Sequence, residues 1–356
     1  MDTKIIDAHM HISQWQRNDG KFVFDVINEH LSKNNVSYVD NMCCTNNANL
    51  WSGYEMDQSI LGAISKLEND KVFTHGCLFI PQDEVELKKY NFIDQLDELM
   101  ELGLDGIKIC DFKPDAYNIL NVDKHLSMYY DFISYCEKYG VHMCWHVADP
   151  DFFWDKNRIP KCYKDLGWCY DDNIYPSYDK LISLAYDLIN KHPNLHVMLA
   201  HAFFKSNEPA EIDNLLTNNP NVTIDLAPGS EMFDGFKNKH DDWCKIFRKH
   251  SDRFLFATDA TGTNLERLTW LTENVLRFLQ TDDSFDFNAL YSTKGIKLEK
   301  EYLDNILYKN HEREVGVKPK KVNKLALKKY INRYLPLMPD SNNKRLTEEY
   351  YHKNLI

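Results

Sequence analysis

The sequence has no CxxC pair, no run of about 18 uninterrupted apolar residues, no low-complexity tract and no excess of positive charge. Each absence removes a class of function. The nine cysteines, at 43, 44, 77, 110, 136, 144, 162, 169 and 244, are odd in number and scattered, which argues against a disulfide framework and a thiolate zinc site. They read as reduced thiols, most of them small hydrophobes in strands. The opening MDTKIIDAHMHI carries acids at positions 2 and 7 where a signal peptide would have its apolar core, so the expected compartment is the cytosol. With 54 acidic against 42 basic residues the net charge is −12, which repels nucleic-acid phosphates and anionic lipid headgroups. Neither nucleic acid nor membrane is an expected partner, and a small-molecule substrate is.

What is there suits a soluble globular chain: 43% hydrophobic and 27% charged residues over 356 positions, room for one barrel of roughly 250 residues with insertions. Short apolar runs alternate with segments of helical spacing, the pattern of a parallel sheet with crossover helices. The strand-like runs are Ile5 to Ile12, Val36 to Cys43, Val72 to Ile80, Leu104 to Cys110, Val141 to Val147, Leu195 to His201, Val222 to Leu226 and Arg253 to Thr258. Helices are expected at about 22–34, 56–70, 84–102, 123–139, 177–192, 208–218, 237–250 and 264–280. Eight such units favour an α/β fold of the closed (β/α)8 TIM-barrel type over an open doubly wound sheet. Two departures are expected. A long loop from Asp149 to Tyr175, rich in aromatic residues, joins strand five to its helix, and a C-terminal helical extension packs on the barrel or on a neighbouring subunit. The division is a barrel over 1–316 and a helical tail over 317–356.

On a regular strand, His9 and His11 face the same way and Asp7 shares their face. An HxH pair alone is a weak metal signal. Its context strengthens it, because barrel active sites gather at the C-terminal ends of the strands. His9 and His11 close the first run, His146 the fifth, His201 the sixth, and Asp259 follows the eighth. Several polar residues delivered to one rim are hard to explain as packing. Trp145, beside His146 but on the opposite face, is expected to pack between strand and helices.

The motifs IIDAHMHI, CWHVAD, VMLAHAFF and LFATDA resemble those of the amidohydrolase superfamily, and in particular its amidohydrolase-2 branch. That branch includes aminocarboxymuconate-semialdehyde decarboxylase, resorcylate-type decarboxylases and dicarboxylate lactonases. The resemblance spans about residues 4 to 316, including LDNILYKNHERE, which is similar to the helix closing the branch's domain. It implies His9, His11, His146 and Asp259 as metal ligands, His201 as an acid or base, and Asp259 as the group that takes a proton from an activated water. Three imidazoles and a carboxylate suit zinc, with manganese or iron as alternatives, and one ion is favoured over two. Lys108 matches the position where two-metal members carry a carboxylated, bridging lysine; a contact to a substrate carboxylate and a structural lysine are the other readings.

The implied reaction is hydrolysis of a lactone, ester or amide of a small carboxylated substrate; non-oxidative decarboxylation of an aromatic or unsaturated acid is the alternative. A barrel that keeps the motifs but acts only as a binding module is a third reading. Lys108, Lys113, Arg158, Lys161, Lys164 and Lys205 are candidate contacts to a substrate anion, and Trp154 and Trp168 are expected near the ligand in a lid made by the long loop. A homodimer is implied by the resemblance alone.

Overall fold

The computed structural model describes residues 4–17, 19–47, 50, 57–81, 84–262 and 264–356. Nine strands run in the spatial order β8-β7-β6-β5-β4-β3-β2-β1-β9, every neighbouring pair parallel. They are β1 (Ile6–His11), β2 (Tyr38–Met42), β3 (Val72–Gly76), β4 (Gly106–Phe112), β5 (Met143–Val147), β6 (Val197–Leu199), β7 (Val222–Asp225), β8 (Phe254–Leu255) and β9 (Ala260–Thr261). The last two are the ends of one segment. The amide of Ala8 donates to Phe256 O at 2.9 Å and that of Asp259 to His9 O at 2.7 Å, so this segment joins β7 to β1 and closes the ring. The expected eighth run, Arg253 to Thr258, is a regular strand only over Phe254–Leu255, and just past its end the backbone turns to present Asp259 before pairing with β1.

Local sequence accounts for the crossovers. Asp57, Asn91, Ser177 and Asn264 each accept a first-turn amide of the helices Gln58–Glu68, Phe92–Leu102, Tyr178–Lys191 and Leu265–Gln280, satisfying donors that a helix start leaves open. Their apolar faces bury Leu96, Leu99, Leu181, Leu188, Leu271 and Val275 against the outside of the sheet. The sequence-based helix at 84–102 divides into Glu84–Leu87 and Phe92–Leu102, and that at 237–250 is His240–Lys249, preceded by a further helix, Ser230–Asn238. The start of the helix expected at 56–70 falls on Met56, outside the described residues. Inside the barrel, Ala8, Met42, Cys144, Met198 and Leu255 form a small apolar layer beneath the site.

The expectation that Asp7 shares the face of His9 and His11 does not hold. The pairing of β1 with β2 shifts between Asp7 and Met10, a bulge that gives the strand one extra residue and reverses its alternation. Ala8 points into the barrel, whereas Asp7 accepts from the Thr258 amide at 3.0 Å and the Thr258 hydroxyl at 2.6 Å, with His30 of the first helix 4.0 Å away. Asp7 therefore clamps the closing segment to β1 and stays outside the cluster of rings.

The segment Lys300–Glu314 packs where the strands begin: Phe256 N donates to Ile306 O at 3.0 Å, and His311 Nε2 pairs with Asp40 at 2.9 Å. Beyond it, the helices Lys324–Tyr334 and Asn342–Asn354 lie on the barrel, tied by Tyr334 to Glu98 and by the Trp15 indole to Thr347. Among the described residues no helix is long and apolar enough to cross a membrane.

Candidate metal centre and its cavity

The backbone at the C-terminal ends of the strands is unusual where it carries the site. Ala148, the four residues His201 to Phe204, and Asp259 all adopt positive φ, between +50° and +62°, without being glycine. A left-handed conformation costs a residue with a Cβ roughly 1–2 kcal/mol, so such positions persist where the surroundings impose them. Here the turns swing His201 and Asp259 over the barrel mouth toward His9 and His11. Ring centroids lie 5.1 Å apart for His9 and His11, 5.3 Å for His9 and His201, and 4.7 Å for His146 and His201. All five residues expected at the rim are brought together.

The hydrogen bonds assign each ring a tautomer. A main-chain carbonyl only accepts, so a ring nitrogen facing one must carry the proton. His11 Nδ1 lies 2.6 Å from Met42 O, His201 Nδ1 3.0 Å from Ala227 O, and His146 Nε2 3.0 Å from Ala148 O. His9 Nδ1 lies 2.7 Å from the Asp225 carboxylate. The opposite nitrogens all turn inward as lone pairs. His201 Nε2 then meets His146 Nδ1 at 3.2 Å, two lone pairs that repel unless a cation lies by them, and His11 Nε2 faces Asp259 Oδ1 at 2.9 Å. Burial, the largest influence on each, pushes the pKa of His9, His146 and His201 down and disfavours extra protons there. Burial also works against the charge of Asp259, but His201, His11 and His9 outweigh it and hold the carboxyl well below its usual range. A metal ion is the cation this donor set fits, and one ligand atom each from His9, His201 and Asp259 falls within a sphere suited to holding one.

Two carboxylates around the rings were not singled out in the sequence. Asp225, at the end of β7, accepts the amides of His201 at 2.8 Å and Ala227 at 3.1 Å through Oδ1, while Oδ2 holds His9. Asp149 sits 3.4 Å from His146 Nε2, accepts the Tyr170 hydroxyl at 2.8 Å and pairs with Lys113. A carboxylate behind a ligating histidine fixes its tautomer and raises its basicity. The signal for Asp225 was a lone acid ending a buried strand; for Asp149, its place in CWHVAD.

Lys108, at 0% exposure, places Nζ 3.3 Å from His9 Nε2 and 3.3 Å from Cys144 Sγ. Burial opposes its charge, yet the electrostatic pull of Cys144, Cys110 and Asp225 carries its pKa above the ordinary lysine value. It reaches the ring cluster from β4.

The rings floor a cavity of about 400 Å³. The long loop forms part of its wall: Phe153, Tyr163 and Trp168 line it, with Phe204 facing them. Phe153, Ile159 and Tyr170 make the loop's own small core. Trp154 belongs to this supporting layer, its indole donating to Pro176 O at 2.9 Å, and does not line the cavity. Arg158 pairs with Asp151 at 3.0 Å on the exposed side of the loop. Of the other candidate cations, Lys113 reaches the cavity, whereas Lys161 pairs with Asp165 and Lys205 with Glu211. Glu231 and Arg267 line it too, without having been anticipated.

No protein-family model matches the chain, and no curated protein matches its sequence. Solved structures do resemble it. A TIM-barrel protein of unassigned function, Bb4693 from Bordetella bronchiseptica, aligns over 87% of this chain and 98% of its own, with 15% identity and a TM-score of 0.56. The 2,6-dihydroxybenzoate decarboxylase from Rhizobium aligns over 88% and 99%, with 12% identity and a TM-score of 0.54. A protein assigned as an amidohydrolase from Staphylococcus aureus aligns over 88% and 100%, with 14% identity and a TM-score of 0.51. What this chain shares with these structures is the (β/α)8 barrel.

Proposed function

We propose that this chain is a metal-dependent enzyme of the amidohydrolase type, hydrolysing a lactone, ester or amide of a small carboxylated substrate. The inward lone pairs of His9, His11, His146 and His201, set against the Asp259 carboxylate, are the observation that carries this reading. His9, His11, His146 and Asp259 would hold a single divalent ion, zinc by preference for such ligands, with manganese or iron also accommodated. A bound ion of this kind supplies Lewis acidity toward a carbonyl oxygen and makes a water acidic near neutral pH.

The chain's own groups do the rest. Asp259, ionised and beside the rings, accepts the proton released by the water. His201, its Nδ1 proton fixed on Ala227 O, presents Nε2 as a base that would take the water's proton over from Asp259 and pass it to the departing group. Asp225 and Asp149 keep their rings in the ligating tautomer, and the loop carrying Phe153 and Trp168 limits access of bulk water.

A second reading, non-oxidative decarboxylation of a planar acid, rests on the aromatic wall of Phe153, Tyr163, Trp168 and Phe204, which suits a flat ring. Elemental analysis of protein purified without chelator, beside the His9→Ala/His11→Ala double mutant, tests the shared premise. About one equivalent of a divalent metal, lost in the mutant, is expected. No metal even after reconstitution would overturn it and favour the binding-module reading. With metal present, carbon dioxide release from aromatic acids without ester or lactone hydrolysis would select the second reaction.

A further inference from the structure

The cavity's charged groups divide into those already engaged and those left over. Lys108, Asp259 and the histidines belong to the ring cluster, and Lys113 is paired with Asp149 while lying 5.0 Å over the Trp168 ring. Two remain. Among the described residues, neither Glu231 nor Arg267 forms a side-chain ion pair, although both line the cavity.

Each is held in place by contacts that leave polar atoms to spare, although the Glu231 carboxyl also accepts from the main chain at its own residue. The Arg267 guanidinium lies 4.5 Å over the ring of Trp270, a stack that orients its plane without using its N–H donors. Arg267 rises from the first turn of Leu265–Gln280, the helix that follows Asp259. Glu231 rises from the first turn of Ser230–Asn238, after β7, and its carboxyl lies directly against the backbone of Gly229. A Cβ at position 229 would meet Glu231 Oε1 at 2.1 Å, so glycine there permits the approach. Burial pushes Glu231 up to about 7 against the opposing backbone hydrogen bond, with a smaller push from Asp149 and Asp259.

We infer that Arg267 and Glu231 form a two-point recognition site for a flat ligand carrying an anionic group, bound by Arg267, and a hydrogen-bond donor such as an amine, bound by Glu231. The inference rests on the proposed function in taking this cavity to be the substrate site. Tyr163, Trp168 and Phe204 supply the aromatic surfaces, and the ring cluster lies on the floor. A planar guanidinium matches a carboxylate with two parallel hydrogen bonds, which is why an unpaired arginine at the edge of an aromatic cavity selects for an acid. A carboxyl group on the wall of a cavity lined by aromatic rings selects for a donor, because an apolar ligand edge would leave its remaining acceptor capacity unused.

The test is calorimetric binding to the metal-loaded full chain of the three aminobenzoates, their methyl esters and benzoate. At least one aminobenzoate is expected to bind more tightly than both its ester and benzoate. Arg267→Leu should weaken that acid about tenfold and leave its ester unchanged, and Glu231→Met should bring it down to the affinity of benzoate. Gly229→Ala, which displaces the carboxyl without deleting it, should reproduce the Glu231→Met loss if that variant fails to fold. The inference is overturned if the parent binds no aminobenzoate better than benzoate, or if the variants weaken ester and acid by the same factor. Metal content separates the two proposals. A metal-loaded parent without this selectivity defeats the two-point site alone, and a parent that shows the selectivity yet holds no metal defeats the proposed function alone.

Discussion

Asp225 Oδ2 lies 2.7 Å from His9 Nδ1, while its Oδ1 accepts the backbone amide of His201 at 2.8 Å, so one buried carboxylate positions two residues of the ring cluster from separate strands. Asp225→Asn would keep the oxygen that accepts from His201 but turn an N–H toward His9. The ring would then carry its proton on Nε2, on the side of the cluster. The expected outcome is a roughly 10–100-fold loss of metal affinity with the fold retained, measured by chelator competition and thermal unfolding. Unchanged affinity would show that His9 is not oriented by this contact.

Asp259 faces His11 Nε2 at 2.9 Å on a turn with φ +52°. Asp259→Asn leaves the geometry nearly isosteric and removes the proton acceptor. Turnover is expected to fall by a factor of roughly 10²–10⁴, while the unfolding midpoint in urea stays near that of the parent. A mutant with full turnover would remove Asp259 from the mechanism.

The ammonium of Lys108 lies among the ring nitrogens, 3.3 Å from His9 Nε2. With one ion favoured, Lys108→Met is expected to retain about one equivalent of metal, and the parent to show the unmodified mass. A parent holding two equivalents, carrying the added mass of a carboxyl group and losing metal in the mutant, would instead make Lys108 a bridging ligand.

Asp57 is fully buried, caps Gln58–Glu68 through the Ile60 amide at 3.0 Å, and burial pushes its carboxyl up to about 7. Between the ordinary value near 4 and that value, the folded chain holds a proton that the unfolded chain has released. The proton-holding contribution is complete below the lower value and is lost as pH rises through the upper one. Asp57→Asn keeps a capping oxygen and has no proton to lose. It should match the parent near pH 4 and exceed its stability by a few kcal/mol at most at pH 8, from urea unfolding at both values. Equal stability at pH 8 would show that Asp57 ionises without cost.

The order of the fold was legible because its signals are local. A strand buried on both faces reads as a short apolar run and a crossover helix as a 3.6-residue stripe, so the alternation and the placing of His9, His11, His146, His201 and Asp259 at strand ends needed no knowledge of neighbours. The same local rules misplaced Asp7, because strict alternation assumes an unbroken register and the bulge between Asp7 and Met10 is set by pairing with β2. They could not see Asp225, Asp149, Glu231 or Arg267 as parts of the site. An acid or arginine near a strand end acquires its meaning from what stands opposite it, and those partners come from other strands and from the loop. The sequence by itself determined the barrel and the residues its rim presents. Only the tertiary structure decided the tautomer of each ring, which of Trp154 and Trp168 lines the cavity, and which charges stay unpaired, because those depend on contacts between segments far apart in the chain.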